Sequence, residues 1–157
     1  MAQFTAYQRG VAGTASTTQL NNGTLTLATV GNMAKVKMFN WGGSDTSLIS
    51  YSTRWARVTN TPVAPTSIMT PICTSAGTVT AVCSLNTYTT TPTTTASPSG
   101  LFAQDWNSQG GGGAIVLPLG GEWFISGGAL GTTYSQIGCG NVVGASANTS
   151  FGWGWEE

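Results

Sequence analysis

The chain has 157 residues, of which 40% are hydrophobic, 10% are aromatic and only 6% are charged. The apolar content is too high for a disordered chain, so a folded domain is expected. Five basic residues are balanced by five acidic ones, and no basic stripe exists to neutralise phosphates, so no nucleic-acid partner is expected. A net charge near zero favours association between copies, which predicts a homo-oligomer.

The first predicted strands alternate apolar and polar residues with a period of two. Residues 3–8 place Phe4 and Ala6 on one face, and residues 24–30 alternate leucine with threonine. This alternation is typical of a strand with one buried face and one face in water. Both segments are therefore predicted to be half-buried strands.

The next segment, residues 34–41, also alternates, and one of its faces is basic and aromatic. Strict alternation places Ala34, Val36 and Met38 together on one face. The other face then carries Lys35, Lys37, Phe39 and Trp41. This pattern predicts a strand with one partly wet face, followed after a Gly/Ser turn by one long or bulged strand over residues 46–58.

Two extended segments rich in proline and threonine come next, at residues 60–71 and 87–100. Proline is excluded from central strands and favours extended backbone, so neither segment is predicted to join a sheet centre. Residues 87–100 are either a surface loop or an arm laid across a neighbouring subunit, because long loops of this kind are usually functional or disordered. The candidate interface residues of the two segments are Pro62, Pro65, Pro71, Tyr88, Pro92 and Pro98.

The last third of the chain is dense in strand signals. Residues 114–119 and 122–126 predict a hairpin that turns at Gly120-Gly121. The closing segment, residues 149–155, alternates three aromatic residues with glycines, which predicts a strand whose back is closely approached by another backbone. With about eight to ten short strands, the chain is predicted to be all-β. The expected architecture is a jelly-roll or related antiparallel β-sandwich, folded as one domain over residues 1–157.

The residue types that carry catalysis are scarce. The chain has no histidine, which removes the usual general base and a common metal ligand. Asp45, Asp105 and Glu122 are the candidates for a glycosidase-type carboxylate pair, but Asp45 lies in a Gly/Ser turn where aspartate is ordinary turn chemistry. We therefore expect no enzyme activity, no metal and no cofactor.

Cysteine usage and the start of the chain bear on the compartment. Cys73, Cys83 and Cys139 are odd in number and lack metal-like spacing. They are interpreted as free thiols in a reducing compartment, with a Cys73–Cys83 pair as the alternative. The first residues lack a basic and apolar leader, and no apolar run approaches a membrane span, so synthesis in a cytoplasm and no membrane partner are expected.

The tryptophans allow two interpretations. Trp41, Trp55, Trp106 and Trp123 could form a platform on which sugars stack, as in a carbohydrate-binding module or adhesin. Aromatic residues also dominate protein cores and subunit interfaces, and this second interpretation is favoured.

Three segments give the chain a resemblance to a known class of proteins. They are the Thr/Pro segment 59–71, the extended loop 87–98, and the stretch Ile115-Val-Leu-Pro-Leu-Gly-Gly-Glu-Trp-Phe-Ile-Ser, which is followed by a closing aromatic strand that ends Trp155-Glu156-Glu157. In this order they resemble the head decoration or auxiliary capsid proteins of tailed bacteriophages.

The resemblance implies a jelly-roll-like sandwich present in many copies on the virion surface. Such a protein docks on the major capsid protein, often as a trimer, and clamps neighbouring capsid subunits. The expected location is thus the capsid surface of a virion made in a host cytoplasm. A tail or head-fibre component is the nearest alternative.

Overall fold

The backbone is organised almost entirely by β-strand pairing. A computed structural model describes residues 1–13, 23–43, 48–58, 67–75, 77–87, 101–107, 109, 111–128, 135–143 and 147–157. Within these ranges the regular structure consists of twelve strands and no helix. The prediction of an all-β fold is confirmed.

The strands form two antiparallel sheets. In the first sheet the order is β10-β3-β12-β1-β6, with β9 also paired to β3, and in the second it is β5-β7-β2-β11-β4-β8. The first sheet contains β1 (Gln3–Gly13), β3 (Met33–Gly43), β6 (Ile72–Cys73), β9 (Gly113–Val116), β10 (Trp123–Ser126) and β12 (Ala147–Glu156). The second contains β2 (Gly23–Thr26), β4 (Ser50–Arg57), β5 (Ser67–Met69), β7 (Ser84–Thr87), β8 (Phe102–Asn107) and β11 (Gln136–Val143).

The hydrophobic core lies between the two sheets. Phe4, Phe39 and Trp153 face it from the first sheet, and Leu25 and Trp55 face it from the second. Side chains from two sheets that interdigitate in one core define a β-sandwich, so the predicted architecture is confirmed. The three aromatic residues that alternate with glycine on the closing strand are all buried: Phe151, Trp153 and Trp155.

A β-bulge in β3 changes which of its side chains are buried. In the pairing with β12, Gly154 lies opposite Met38 and Trp155 lies opposite Val36, so Lys37 is an extra residue. One extra residue reverses the alternation beyond it. Val36 and Phe39 are therefore both fully buried, while Met38 is only half-buried. The predicted grouping of Met38 with Val36, and of Phe39 with the lysines, is wrong.

Strands β9 and β10 do not form the predicted hairpin. Val116 of β9 pairs with Met38, and Trp123 of β10 pairs with Val36, so both strands run along the same side of β3. They act as one edge strand that is interrupted by residues 117–122. The Gly-Gly pair makes a turn, as predicted, but the chain leaves the sheet and returns to it in the same direction.

The glycines of β12 are covered by side chains and not by another backbone. A Cβ added at Gly152 would lie 2.6 Å from the Asn40 side-chain oxygen, and one at Gly154 would lie 3.3 Å from the Met38 Cβ. The side chains of Asn40 and Met38 on β3 thus lie against these glycines. The predicted close approach exists, but its source is the neighbouring strand.

Strand β2 is shorter than predicted and is buried on both faces. It ends at Thr26, and Thr24 and Thr26 are buried as well as the leucines. The strand lies inside its sheet, between β7 and β11. On the face that carries the threonines, Gln136 opposite Thr26 is fully buried too. The prediction of a half-buried strand is therefore wrong for β2.

Candidate docking surface

The structure places one of the six interface residues predicted from the sequence. Pro71 is half-buried and directly precedes β6. The other five lie outside the described residues: Pro62, Pro65, Tyr88, Pro92 and Pro98. The first residue of the predicted segment 87–100, Thr87, is the buried end of β7; the rest lies outside the described residues, so the arm stays a prediction.

The strongest candidate surface surrounds the turn that interrupts the edge strand. Leu117 leaves the sheet after its amide donates to the Lys37 carbonyl at 2.7 Å. The Gly121 amide donates to the Pro118 carbonyl at 2.8 Å and closes a tight β-turn. Gly120 occupies the third position with φ of +86°, the conformation that a type II turn requires and that glycine adopts without strain.

A buried carboxylate fixes the turn to the sheet. Glu122 Oε2 accepts a hydrogen bond from the Gly120 amide at 2.7 Å, and Oε1 accepts one from Lys37 Nζ at 3.1 Å. Lys37 also lies 3.3 Å from Glu156 Oε2. Lys37 is the bulged residue of β3, so the bulge and the turn are joined by an ion pair.

These contacts perturb the ionisation of both groups. Hydrogen bonds from its own backbone amide and from the Lys37 ammonium lower the pKa of Glu122. The hydrogen bonds to Glu122 and Glu156 raise the pKa of Lys37. Both shifts favour the charged pair near neutral pH, so the turn is held in one geometry.

The turn displays apolar side chains to solvent. Leu119 at its tip is 93% exposed and Val116, just before it, is 72% exposed. Phe124 after the turn and Met33 on β3 are also exposed. We call Met33, Val116, Leu119 and Phe124 the edge patch. Large apolar patches on a protein surface often mark protein–protein contact sites, whereas single exposed apolar residues are ordinary.

A second apolar feature opens at one end of the sandwich. It is a cavity of about 540 Å³ whose apolar lining includes Phe4, Leu27, Met33 and Val79. Glu157 stabilises one wall of the cavity. Its carboxylate accepts hydrogen bonds from the Val82 and Cys83 amides and from the Trp155 indole at 2.7–2.8 Å. Met33 lines this cavity and is also a member of the edge patch.

The four tryptophans do not form one exposed platform. Trp55 is fully buried, while Trp41 and Trp123 are half-buried and stack against Phe39. Trp106 belongs to a separate cluster, where it stacks on Tyr51 with ring centroids 4.2 Å apart. Core packing accounts for Trp41, Trp55 and Trp123, as the favoured interpretation holds.

The two candidate carboxylates that the structure describes, Asp105 and Glu122, lie on different sheets. Asp105 is on β8 of the second sheet, whereas Glu122 is bound to Lys37 at the edge of the first. Asp45 lies outside the described residues.

Among the described residues, no group of three or more acidic or cysteine side chains is placed to bind a metal ion. The described part of the chain also contains no helix that is long and apolar enough to cross a membrane.

All three cysteines are free thiols, so the alternative Cys73–Cys83 disulfide is not formed. Burial raises the pKa of the Cys83 and Cys139 thiols well above the usual value. Hydrogen bonding to the Ser75 side chain lowers the pKa of Cys73. Cys73 is therefore the thiol that ionises most readily.

Sequence reasoning recognised the Pro-Leu-Gly-Gly-Glu stretch but assigned it the wrong role. The signal that was available is Leu119 itself, an aliphatic residue between Pro118 and two glycines, where turns normally carry polar residues. The cavity had no comparable signal, because its lining comes from four distant parts of the chain.

Comparison of the chain with protein-family models, curated proteins and solved structures finds no match.

Proposed function

We propose that the chain is a structural protein of a virus particle: a capsid decoration protein that docks in many copies on the major capsid protein and clamps neighbouring subunits. The observation that carries this proposal is the edge patch, with its 93% exposed Leu119 on a turn that is fixed by the ion pair between Lys37 and the buried Glu122 carboxylate. The resemblance in sequence supplies the kind of partner, and the patch supplies a surface for it.

The geometry of the turn supports a binding role because its shape exists before any partner arrives. A loop that orders on binding loses free energy to conformational entropy, whereas a rigid loop avoids that cost. Two hydrogen bonds to Glu122 and one across the turn restrict the backbone around Leu119. Full burial of one leucine side chain contributes about 1.5–3 kcal/mol.

The scarcity of charge also fits a subunit that packs among many copies. Lys35, Lys37, Glu122 and Glu156 lie around the edge patch, and Lys37 is neutralised by the two carboxylates. Lys35 lies over the ring of Phe124, with its Nζ 5.6 Å from the ring centroid. An interface centre is normally enriched in aromatic and aliphatic groups, and the four members of the edge patch are all apolar side chains.

The proposal is tested on particles and with variants. Quantitative mass spectrometry of purified virions from the source should give copies in fixed ratio to the capsid lattice. A handful of copies per particle would instead indicate a component of the tail or of a head fibre. Absence from the particle would overturn the proposal.

The docking surface is tested by co-sedimentation with capsids that lack this protein. Leu119→Asp should weaken binding roughly 10- to 100-fold, since about 1.4 kcal/mol corresponds to a factor of ten. Leu48→Asp is the matched control, because Leu48 is also exposed but lies just before β4 of the second sheet, whereas the edge patch belongs to the first. Equal binding by both variants would exclude the edge patch as the docking surface.

A further inference from the structure

The four sheet edges differ in how they are protected against pairing with another chain. Strand β6 has two residues and β5 has three, and the edge strand of β9 and β10 is interrupted by a turn that contains Pro118. Natural proteins blunt edge strands by such devices. Strand β8 is the exception, with six residues paired to β4 in unbroken register and no proline, lysine or bulge.

The side chains of β8 leave its outer edge open. Ala103, Gln104 and Asp105 are exposed, and among the described strands β8 pairs only with β4. An open edge of this length presents unpaired backbone donors and acceptors to any extended segment. We propose that β8 is the contact between two copies of this chain, which pair β8 to β8, antiparallel about a two-fold axis, and join their second sheets into one.

The side chains select the register of this pairing. A two-fold axis perpendicular to the sheet places one residue opposite its own copy. Only Gln104 or Asp105 at the axis pairs five of the six residues of β8. The second register sets two carboxylates opposite each other, which destabilises a strand pair. The first register sets an uncharged amide at the axis and is therefore the one we assign.

In the assigned register, Phe102 lies opposite Trp106 of the second copy, and symmetry repeats this pair. Aromatic cross-strand pairs are among the more stabilising contacts in sheets. Trp106 is already held in place, because its indole Nε1 donates to Thr53 Oγ1 at 2.6 Å and its ring lies parallel to Tyr51 within 8°. Both Phe102 and Trp106 are half-buried in the single chain and have surface left to cover.

The charges complement each other in the same register. Arg54 on β4 lies opposite Ala103, and Asp105 of the second copy would lie on the other side of Ala103. Two strand spacings separate the backbones by roughly 10 Å, a distance that an arginine side chain spans over the small alanine. Within the described part of the single chain, neither Arg54 nor Asp105 forms an ion pair.

This contact stands independently of the proposed function, because β8 is in the second sheet and the edge patch is in the first. It predicts a dimer, or a larger assembly that contains dimers, where the resemblance in sequence implies a trimer. The mass of the protein in solution, measured by sedimentation equilibrium over a range of concentrations, decides between them. A mass that stays that of a monomer or becomes that of a trimer would overturn the proposal.

The register is tested by cross-linking in a Cys73→Ser background, which removes the more reactive thiol. Gln104→Cys places two thiols opposite each other at the axis, so mild oxidation should convert most of the protein into a disulfide-linked dimer. Asp105→Cys is the matched control, because it faces Ala103 and should stay largely monomeric on a non-reducing gel. Preferential cross-linking of the control would overturn the assigned register.

A charge reversal tests the same contact without relying on disulfide geometry. Arg54→Asp and Asp105→Arg should each raise the dimer dissociation constant by about tenfold, since each reverses two symmetric ion pairs. The double variant should recover most of the wild-type affinity. Unchanged dissociation constants in both single variants would contradict the proposal, and capsid co-sedimentation by each variant reports separately on the edge patch.

Discussion

Replacing leucine by alanine at two positions distinguishes a residue of the edge patch from a residue of the core by its effect on the free energy of unfolding. Leu25 is 0% exposed and lies between Leu85 and Ile137 of the adjacent strands. Leu119 is 93% exposed at the tip of its turn. The chemical change is identical at the two sites, so any difference in the free energy of unfolding reports the environment alone.

The magnitudes follow from burial. The substitution deletes three carbon atoms, each contributing about 0.8 kcal/mol when fully buried, and a cavity in the core adds to this loss. Leu25→Ala should therefore lower the free energy of unfolding by about 2–5 kcal/mol. Leu119→Ala should change it by less than about 0.5 kcal/mol, because the side chain has almost no contacts to lose.

Urea denaturation followed by tryptophan fluorescence measures both values, with the slope m compared between variants to check that the unfolded states match. A cost above about 1 kcal/mol for Leu119→Ala would refute the reasoning. It would mean that Leu119 packs in solution and is not available to a partner. A loss below about 1 kcal/mol for Leu25→Ala would refute the assignment of the core.

Three further predictions concern the backbone, the ion pair and the thiols. Gly127→Ala should lower the melting temperature by several degrees, because its Cβ would overlap the Thr29 carbonyl oxygen; an unchanged melting curve would contradict this close approach. Since the folded pKa of Glu122 is lowered, its contribution is complete above pH 4.5 and is lost as the pH falls through the lower folded value. The Gly120 amide shift should titrate there in NMR spectra, and not in Glu122→Gln. A thiol reagent should label Cys73 in the native protein well before the two buried cysteines; equal labelling would argue against the burial described.

The parts of the fold that depend on local alternation could be predicted from the sequence. A regular period of two places Phe4 with Ala6, and the three aromatic residues of β12 together, on one face of their strands, and all five residues are buried. The fold class followed from the same signal, since regular alternation between turn residues is typical of sandwiches.

The errors arose where pairing partners decide the outcome. Nothing in residues 34–41 marks Lys37 as a bulge, because the extra residue exists only relative to β12. Similarly, Gly120-Gly121 is compatible with a hairpin or with an excursion, and the choice depends on β3 being long enough to pair with both flanking strands. Such long-range pairings are not encoded in a local pattern.

The turn of the edge patch depends both on local sequence and on long-range pairing. The turn residues were visible in the sequence, but the ion pair that fixes them joins Glu122 to a residue 85 positions away. The register of β3 must be known before that contact can be inferred.

The interrupted edge strand also makes residues 117–122 a natural site for variation in length. The flanking strands are anchored separately, with Phe39 opposite Ile115 on one side and stacked on Trp123 on the other. Neither anchor depends on how many residues connect them, and loop closure costs little more as a surface loop lengthens. A foreign peptide inserted at Leu119 would therefore leave the sheet register intact, while it would disrupt the edge patch and with it the proposed docking on a capsid.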